Sequence, residues 1–506
     1  RAGHDFSSND YLGLAQSQPP DTLPHYLRHM AHFNQNFIDS IERELPDHLS
    51  MEDFIAYSNQ PLRLSIRVNT LKISVTDFIE LMTPKGWQFD SIPWCAEGFW
   101  ITNNQKIQLG NTIEHLQGLF YIQEASSMLP PTALFKNENS QNIKVQTDTV
   151  VLDMASAPGS KTTQITGLMQ NKGLLVANEY SASRVKVLHA NIARMGVANC
   201  ALTHFDARVF GEYLFETFDS ILLDAPCSGE GTIRKDPDAL KNWDNNENKG
   251  IVATQKALIE SAFLALKVGG NMVYSTCALS RQENQDVCNH LKTTFGNAVE
   301  FASLEKLFPN AEKACTKEGF LHVWPQIYDS EGFFVAKINK VSKVERQQDE
   351  PRKQKNFPFT AAKAKQVAEL VLYFKEAFNI DIPDDAQIME RDLEFWLFPQ
   401  AVLPLIGKMR FQRIGIKLAD ALKKGYKVRH EAILALSSPT QIELSDEQAK
   451  EFLMGRDISL AERVKPQGEV IVSYAANPLG VAKHLGNKLK NNLPRDLVKD
   501  KIALYL

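Results

Sequence analysis

Two short phrases in this chain of 506 residues place a cysteine just after an apolar run: SILLDAPCSGEGT, which carries Cys227, and NMVYSTCALS, which carries Cys277. A thiol at the carboxyl end of a strand lies where open parallel sheets bind their ligands. The thiolate is the reactive form, and it is nucleophilic even when only a few per cent ionised at neutral pH. Such a sulfur can add to an electron-poor carbon such as carbon 6 of a cytosine, which turns the inert carbon 5 beside it into a nucleophile. Bringing a thiol from about 8.5 down to about 7.5 needs about 1.4 kcal/mol of local stabilisation. Helix N-termini together with Lys161 or Lys235 are the groups available to supply it. Residue types alone do not say which of the two sulfurs attacks. The other four cysteines, Cys95, Cys200, Cys288 and Cys315, lie far apart with no CxxC pair. That spacing fits neither a zinc knuckle nor a compact disulfide framework, so core roles in a reducing cytosol and no metal site are expected.

A second constellation precedes the cysteines. The run VVLD leads into MASAPGSKTTQ, where Ala155, Ser156, Ala157, Pro158, Gly159, Ser160 and Lys161 form a small-residue turn opening a helix. Backbone N–H groups in such a turn can approach a ligand closely at a helix N-terminus. The turn is neither a GxGxxG fingerprint nor a GxxxxGK[ST] phosphate loop. Acidic residues then end successive apolar runs: Glu179 after LLVAN, Asp206 after ALTHF and Asp224 after SILL. A carboxylate on the strand after the turn suits ribose hydroxyls, and one on the next strand can reach an adenine amino group. Three in order indicate a nucleoside cofactor.

Strands and helices in alternation must position these residues. The spacing predicts strands over 149–153, 173–179, 200–206, 218–224, 271–276 and 332–338, the pattern of a parallel α/β sheet. Ser181 is placed to cap a helix carrying Val185, Leu188, Ile192 and Met195 and ending at Gly196. A second helix is expected over 254–267, stopped by Gly269-Gly270. Before the sheet, 30–140 mixes helical patterns with a strand-like SIRVNTLKISV. After it, 341–356 (VSKVERQQDEPRKQKN) reads as a linker to a separate α+β region over 357–506. Residues 1–29 read as a poorly ordered extension; DFSSNDYLGLA resembles an N-terminal stretch of pyridoxal-phosphate-dependent oxoamine synthases, but nothing later matches one. No apolar run approaches the 18 or so residues of a membrane span and no secretory signal is visible, so the cytoplasm is the expected compartment.

The motifs APGSKTTQ, DAPCSGEG and YSTC, with RVNTLK (67–72), FYIQEASS (120–127) and WPQIYDSEGFF (324–334), resemble the Sun-type RNA cytosine-5 methyltransferases over about residues 30–340. The paired DAPC and STC motifs are highly specific. The resemblance implies a Rossmann-like α/β S-adenosylmethionine methyltransferase sheet (141–340), an N-terminal α+β RNA-positioning region (30–140) and a C-terminal α+β region with a PUA-like domain. It implies that Ala155 to Lys161, Glu179, Asp206 and Asp224 contact S-adenosylmethionine. Cys277 then matches the nucleophile, Cys227 the residue that assists release of the methylated base, and Asp224 a group that hydrogen-bonds the cytosine. Gln326 and Tyr328 depart from the histidines of the common WPHxHxxxGFF pattern.

The net charge of -4 conceals an asymmetry: residues 340–506 hold 28 Lys+Arg and 22 Asp+Glu, a net of +6, and the rest of the chain a net of -10. Lys408, Arg410, Arg413, Lys417, Lys423, Lys424, Lys427 and Arg429 fall within 22 positions, broken by one acid, Asp420, and a second group comprises Lys483, Lys488, Lys490 and Arg495. On an RNA enzyme such groups read as phosphate contacts. The resemblance, and not the charge, implies 16S rRNA as the partner, alone or within the small ribosomal subunit, with the target cytosine in the decoding region and the enzyme a monomer. The same reaction on tRNA or another RNA, and a non-catalytic RNA-binding protein, are the alternatives.

Overall fold

The computed structural model describes residues 33–103, 108–236, 240, 248–436, 441–460 and 468–505. The expected extension over 1–29 lies outside them. At the centre is a nine-stranded sheet whose strands are β1 (Val150–Asp153), β2 (Leu174–Asn178), β3 (Cys200–Thr203), β4 (Phe218–Asp224), β5 (Leu266–Thr276), β6 (Val299–Ala302), β7 (Leu321–Val323), β8 (Phe333–Lys340) and β9 (Arg413–Ile414). Their order is β6-β8-β5-β4-β1-β2-β3-β9, with β7 paired to β8. Strands β1 to β5 pair in parallel, while β8 is antiparallel to β5. The chain runs from β1 out to β3, then returns to the other side of β1 with β4. That makes a switch point at whose carboxyl edge the small-residue turn and both cysteine loops meet.

These strands read as continuous apolar runs because both faces are covered. Val150 and Leu152 pack into one core and Val151 into the other, all buried. Helices α1 (Ser160–Met169), α2 (Ala182–Met195), α3 (Asn248–Ala265) and α4 (Gln285–Phe295) complete the layers. Helix α2 ends at Gly196 (φ 74°) as its spacing predicts, but the Ser181 side chain makes no capping bond. Instead the Ser181 N–H donates to Glu179 at 2.8 Å. Helix α3 also differs from expectation. It ends at Ala265, and Leu266 already belongs to β5. Opposite Phe218 and Ser220, β5 uses Leu266 and Asn271, so Gly269-Gly270 lies in an irregular stretch of the strand rather than in a helix stop.

The N-terminal region carries a four-stranded antiparallel sheet, Trp87–Ser91, Gly98–Asn103, Ser65–Val68 and Phe120–Ile122 in that order. The strand-like run at 65–75 stops at Val68, with all four of its residues buried, Arg67 among them. Beyond β8, residues 341–359 form neither helix nor strand, yet they are tied down. Arg346 lies 5.4 Å from the Phe215 ring centre and the Gln354 N–H donates to Gly407 at 2.7 Å. The expected single C-terminal α+β region resolves into two five-stranded sheets, one over Thr360–Val428 and one over Ile442–Asn491. The first lends β9 to the edge of the central sheet, flanked by the Gln412 and Gly415 N–H groups bonding Leu202 and Cys200 at 2.8 Å each.

The RVNTLK segment joins the regions. The Asn69 amide donates to Gly118 at 2.7 Å and to Met195 at 2.8 Å, and the Lys72 ammonium donates to Gln117 at 2.6 Å and to Arg194 at 2.8 Å. Both thereby satisfy carbonyls at the end of α2 that the helix leaves open. Burial drives the Lys72 ammonium down to about 7. The contact requires a glycine at 118: φ is +75° and a Cβ would stand 2.1 Å from the Arg194 carbonyl oxygen. The second C-terminal sheet closes on the same region, where the Gln117 amide reaches the Tyr474 and Asn477 carbonyls at 2.9 and 2.8 Å. Gly118→Ala is expected to cost about 2–4 kcal/mol of stability, combining a strained φ with a backbone clash. Gly250→Ala, on α3 with nothing within 4 Å of the added Cβ, is neutral or slightly stabilising. Denaturant midpoints of the full chain check both.

Candidate active site

The two cysteines lie 50 residues apart in sequence but at the ends of neighbouring parallel strands, and their sulfurs are 3.2 Å apart. Each loop is held by an acid from the other. Glu230, just past Cys227, accepts the Leu279 and Ser280 N–H groups at 3.2 and 3.0 Å, fixing the loop after Cys277. Glu283, just past Cys277, accepts the Ser228 N–H at 3.0 Å and the Gln255 amide at 2.9 Å, fixing the loop of Cys227. The Gly231 N–H donates to the Cys277 carbonyl at 2.7 Å. No side chain fits at Gly231, since a Cβ would stand 2.3 Å from the Gly332 carbonyl oxygen and 2.7 Å from that of Cys277.

Two thiols this close in a sheltered space cannot both ionise. The hydrogen bond to Cys277, then burial and the charges of Cys277, Glu283 and Asp224, push the Cys227 thiol well above its usual range. Lys161, at the start of α1, reaches Asp224 at the end of β4 at 2.7 Å, and Ser275 donates to the other Asp224 oxygen at 2.7 Å. Burial works against the Lys161 charge, but Asp224 outweighs it and holds the ammonium above its ordinary value, with Cys277 adding to the effect.

The turn from Ala155 to Lys161 sits beside the end of β2. Glu179, buried, accepts the Ala157 N–H at 3.2 Å and the Ser181 N–H at 2.8 Å, so its carboxylate braces the turn while each oxygen retains a second lone pair. The strand expected over 200–206 stops at Thr203, so Asp206 lies three residues past the end of β3, and both its oxygens are engaged by Arg208, whose hydrogen bonds hold the carboxyl below the usual carboxylate range. Two residues at this edge escape sequence reasoning. Asp153, the last residue of β1, is buried, accepts from Thr162 at 2.6 Å and keeps one oxygen without a partner. Burial raises it to about 7. Tyr180, after Glu179, leaves 72% of its surface exposed at the rim. Asp153 had a legible signal, being the first acid to end a strand; Tyr180, Glu230 and Glu283 had none in residue type alone.

At the positions of the divergent WPQIYDSEGFF motif, Tyr328 packs on Trp94 and Phe308 and donates to the Asn310 carbonyl at 2.6 Å, while both polar atoms of Gln326 are buried without partners. The basic C-terminal cluster divides. Arg413 pairs with Glu431, Arg429 with Asp420, and the buried Lys417 with Glu394 at 2.5 Å and Asp420 at 2.7 Å, so these three are internal ties rather than free charge. Lys423, Lys424 and Lys427 are exposed on the hairpin joining Ile416–Ala421 to Tyr426–Val428, and Lys483, Lys488, Lys490 and Arg495 are exposed on the second sheet and just beyond it. Among the described residues no group of His, Cys, Asp or Glu is arranged to hold a metal ion, and no helix is long and apolar enough to cross a membrane.

Comparison with known proteins agrees along the chain. Residues 140–339 match the family of 16S rRNA methyltransferase RsmB/F and residues 33–125 the N-terminal domain of 16S rRNA methyltransferase RsmF. Residues 359–436 match the pre-PUA domain of ribosomal RNA small subunit methyltransferase F, and 439–499 the RsmF PUA domain. Ribosomal RNA small subunit methyltransferase F of Shewanella halifaxensis is 83% identical over 94% of this chain and 100% of its own length. That of Shewanella pealeana is 81% identical over 94% and 99%. Among solved structures, a methyltransferase homolog protein from Pyrococcus horikoshii is 35% identical with a TM-score of 0.52, covering 61% of this chain and 95% of its own. NSun6 from the same organism, solved with SFG, shares the fold at 22% identity and a TM-score of 0.53, over 62% of this chain and 100% of its own. With its catalytic core and its flanking regions all matched, the chain belongs to the ribosomal RNA small subunit methyltransferase F family, the S-adenosylmethionine-dependent methyltransferases of 16S rRNA.

Proposed function

We propose that this enzyme methylates carbon 5 of one cytosine of 16S rRNA, in the decoding region, through a covalent bond between Cys277 and the base. The observation that carries this reading is the 3.2 Å approach of the Cys227 and Cys277 sulfurs beside the turn that Glu179 braces. The residues present fit S-adenosylmethionine: Ala155 to Lys161 with Glu179 and Tyr180 for the nucleoside, Asp206 at the adenine end, and the unpartnered oxygen of buried Asp153 for a cationic amino group. When bound, the cofactor supplies an electrophilic methyl group on a sulfonium. The partner in this reading is 16S rRNA, bare or in the small subunit, met by a cytoplasmic monomer.

Cys277, the cysteine of the STC motif, adds to carbon 6 as its thiolate, and the raised Cys227 thiol beside it is the weaker nucleophile. Asp224, an acceptor toward Lys161 and Ser275, has lone pairs left for the exocyclic amino group of cytosine. Once Cys277 is a thioether, the hydrogen bond and charge that kept Cys227 protonated are gone. Cys227, after releasing its own proton to solvent, or a water it orients, then accepts the proton from carbon 5, and the Cys277 sulfur departs as the ring double bond reforms. Attack from above the ring requires an unstacked base, so the target lies in a loop or is flipped out.

Cys277→Ala abolishes methyl transfer, whereas Cys227→Ala accumulates an RNA–protein adduct stable in a denaturing gel; activity retained in the first variant would move the nucleophile to Cys227. Sequencing of 5-methylcytosine in cellular RNA with and without the gene locates the target, and loss of a tRNA site instead of a 16S rRNA site overturns the substrate. Neutralising Lys423, Lys424 and Lys427 together weakens rRNA binding and lowers the slope of log affinity against log salt by about 3 if each lysine meets a phosphate. An unchanged slope removes the hairpin from the RNA interface.

A further inference from the structure

The mechanism above leaves one charge without a partner. When a thiolate adds to carbon 6 of cytosine, negative charge develops at ring nitrogen 3, and a proton must arrive there. Asp224 is poorly placed to give one, because it accepts from Lys161 and from Ser275. Another carboxyl, close enough to be acted on by the charge of Cys277, makes no hydrogen bond. Glu331 is 3% exposed and neither of its oxygens has a hydrogen-bond partner. A buried carboxyl left without partners is rare and calls for an explanation.

Its backbone is held tightly. The Glu331 N–H donates to Glu124 at 3.2 Å, Arg234 donates to the Ser330 carbonyl at 3.3 Å, and the Gly332 N–H donates to Gly231 at 2.9 Å. Gly231 in turn bonds the Cys277 carbonyl at 2.7 Å, so two hydrogen bonds link the Glu331 segment to Cys277. On the far side of Gly332, the Phe333 ring lies 5.3 Å from the Lys161 ammonium. The charged and titratable groups facing Glu331 are Glu124, Cys277, Arg234 and Lys235. Glu124 accepts hydrogen bonds from Ser126, Ser127 and the Glu331 N–H. Burial first, then Glu124 and Cys277, push the Glu331 carboxyl well above the carboxylate range, against the pull of Arg234 and Lys235.

We infer that Glu331 is the proton donor to nitrogen 3 of the cytosine that Cys277 attacks, an inference that rests on the cytosine-5 reading above. The sulfur lone pair forms the bond to carbon 6 and the ring π electrons shift toward nitrogen 3. Nitrogen 3 takes the proton of Glu331, whose O–H bonding pair stays behind on the carboxylate. When Cys277 leaves, the same proton returns from nitrogen 3 to Glu331, and the cycle closes without an external acid.

The test follows addition alone, with no methyl donor present: exchange of the carbon-5 hydrogen of the target cytosine with heavy water, in 16S rRNA incubated with the full-length protein. Glu331→Gln preserves shape and neutrality but has no proton to give. It is expected to keep the unfolding midpoint and the rRNA affinity within about twofold while slowing exchange by about 100-fold or more, the usual scale of a general acid. Glu331→Asp, which retains an acid, recovers part of the rate. Exchange by Glu331→Gln within threefold of the wild type would overturn the inference, as would an Asp variant as slow as Gln. Absence of exchange in the wild-type protein itself would instead overturn the cytosine-5 reading, and this role with it.

Discussion

Two sulfurs 3.2 Å apart set the terms for the rest of the molecule. In water a pair of thiols at that distance would drift apart or titrate together. In a sheltered cleft, placing a charge on both sulfurs at once is strongly disfavoured. The hydrogen bond to Cys277, and then burial, push the Cys227 thiol toward its protonated form. The division of labour between a nucleophile and a later proton acceptor is thus built into one distance. Maintaining that distance accounts for the reciprocal bonds of Glu230 and Glu283, for Gly231 with no room for a side chain, and for the placement of both loops on adjacent strands.

The supporting structure works by filling backbone valences rather than by adding contacts to the reacting groups. Glu179 ties the turn after β1 to the end of β2 through two N–H groups. Arg67, buried in the N-terminal sheet, donates to Gln123 at 2.9 Å and to Thr163 at 2.8 Å, which sets the first turn of α1 and with it Lys161. Asn69 and Lys72 occupy the open carbonyls at the end of α2. Each of these is a polar group buried with partners, an arrangement that specifies orientation more than it adds stability. The N-terminal region is consequently part of the site's frame, and the second C-terminal sheet, bonded to Gln117, is fixed relative to the cleft.

Much of this was legible in advance because the signals are local. The strands over 149–153 and 218–224 stand within a residue of expectation, since a parallel strand buried on both faces must be apolar throughout. Gly196 ends α2 because a left-handed residue is needed there. Where several local solutions exist, the reading missed. Gly269-Gly270 looked like a helix stop, yet pairing with β4 carried Leu266 into the strand. Ser181 looked like a cap, yet the Glu179 carboxylate nearby engages its N–H instead. The basic run from Lys408 to Arg429 looked like one RNA-facing patch. Glu394, Asp420 and Glu431 neutralise three of its members, and β9 within it completes the central sheet.

From the sequence by itself came the class of sheet, the turn and acids suited to a nucleoside cofactor, and the pair of cysteines at strand ends, because residue type and short-range spacing decide these. The contact that raises the Cys227 thiol, the acids that clasp the two loops, and the carboxyl left without a hydrogen-bond partner were decided only by the tertiary structure. Those properties depend on burial and on groups brought together across 50 or more positions, and electrostatic interaction falls with distance through space, not along the chain.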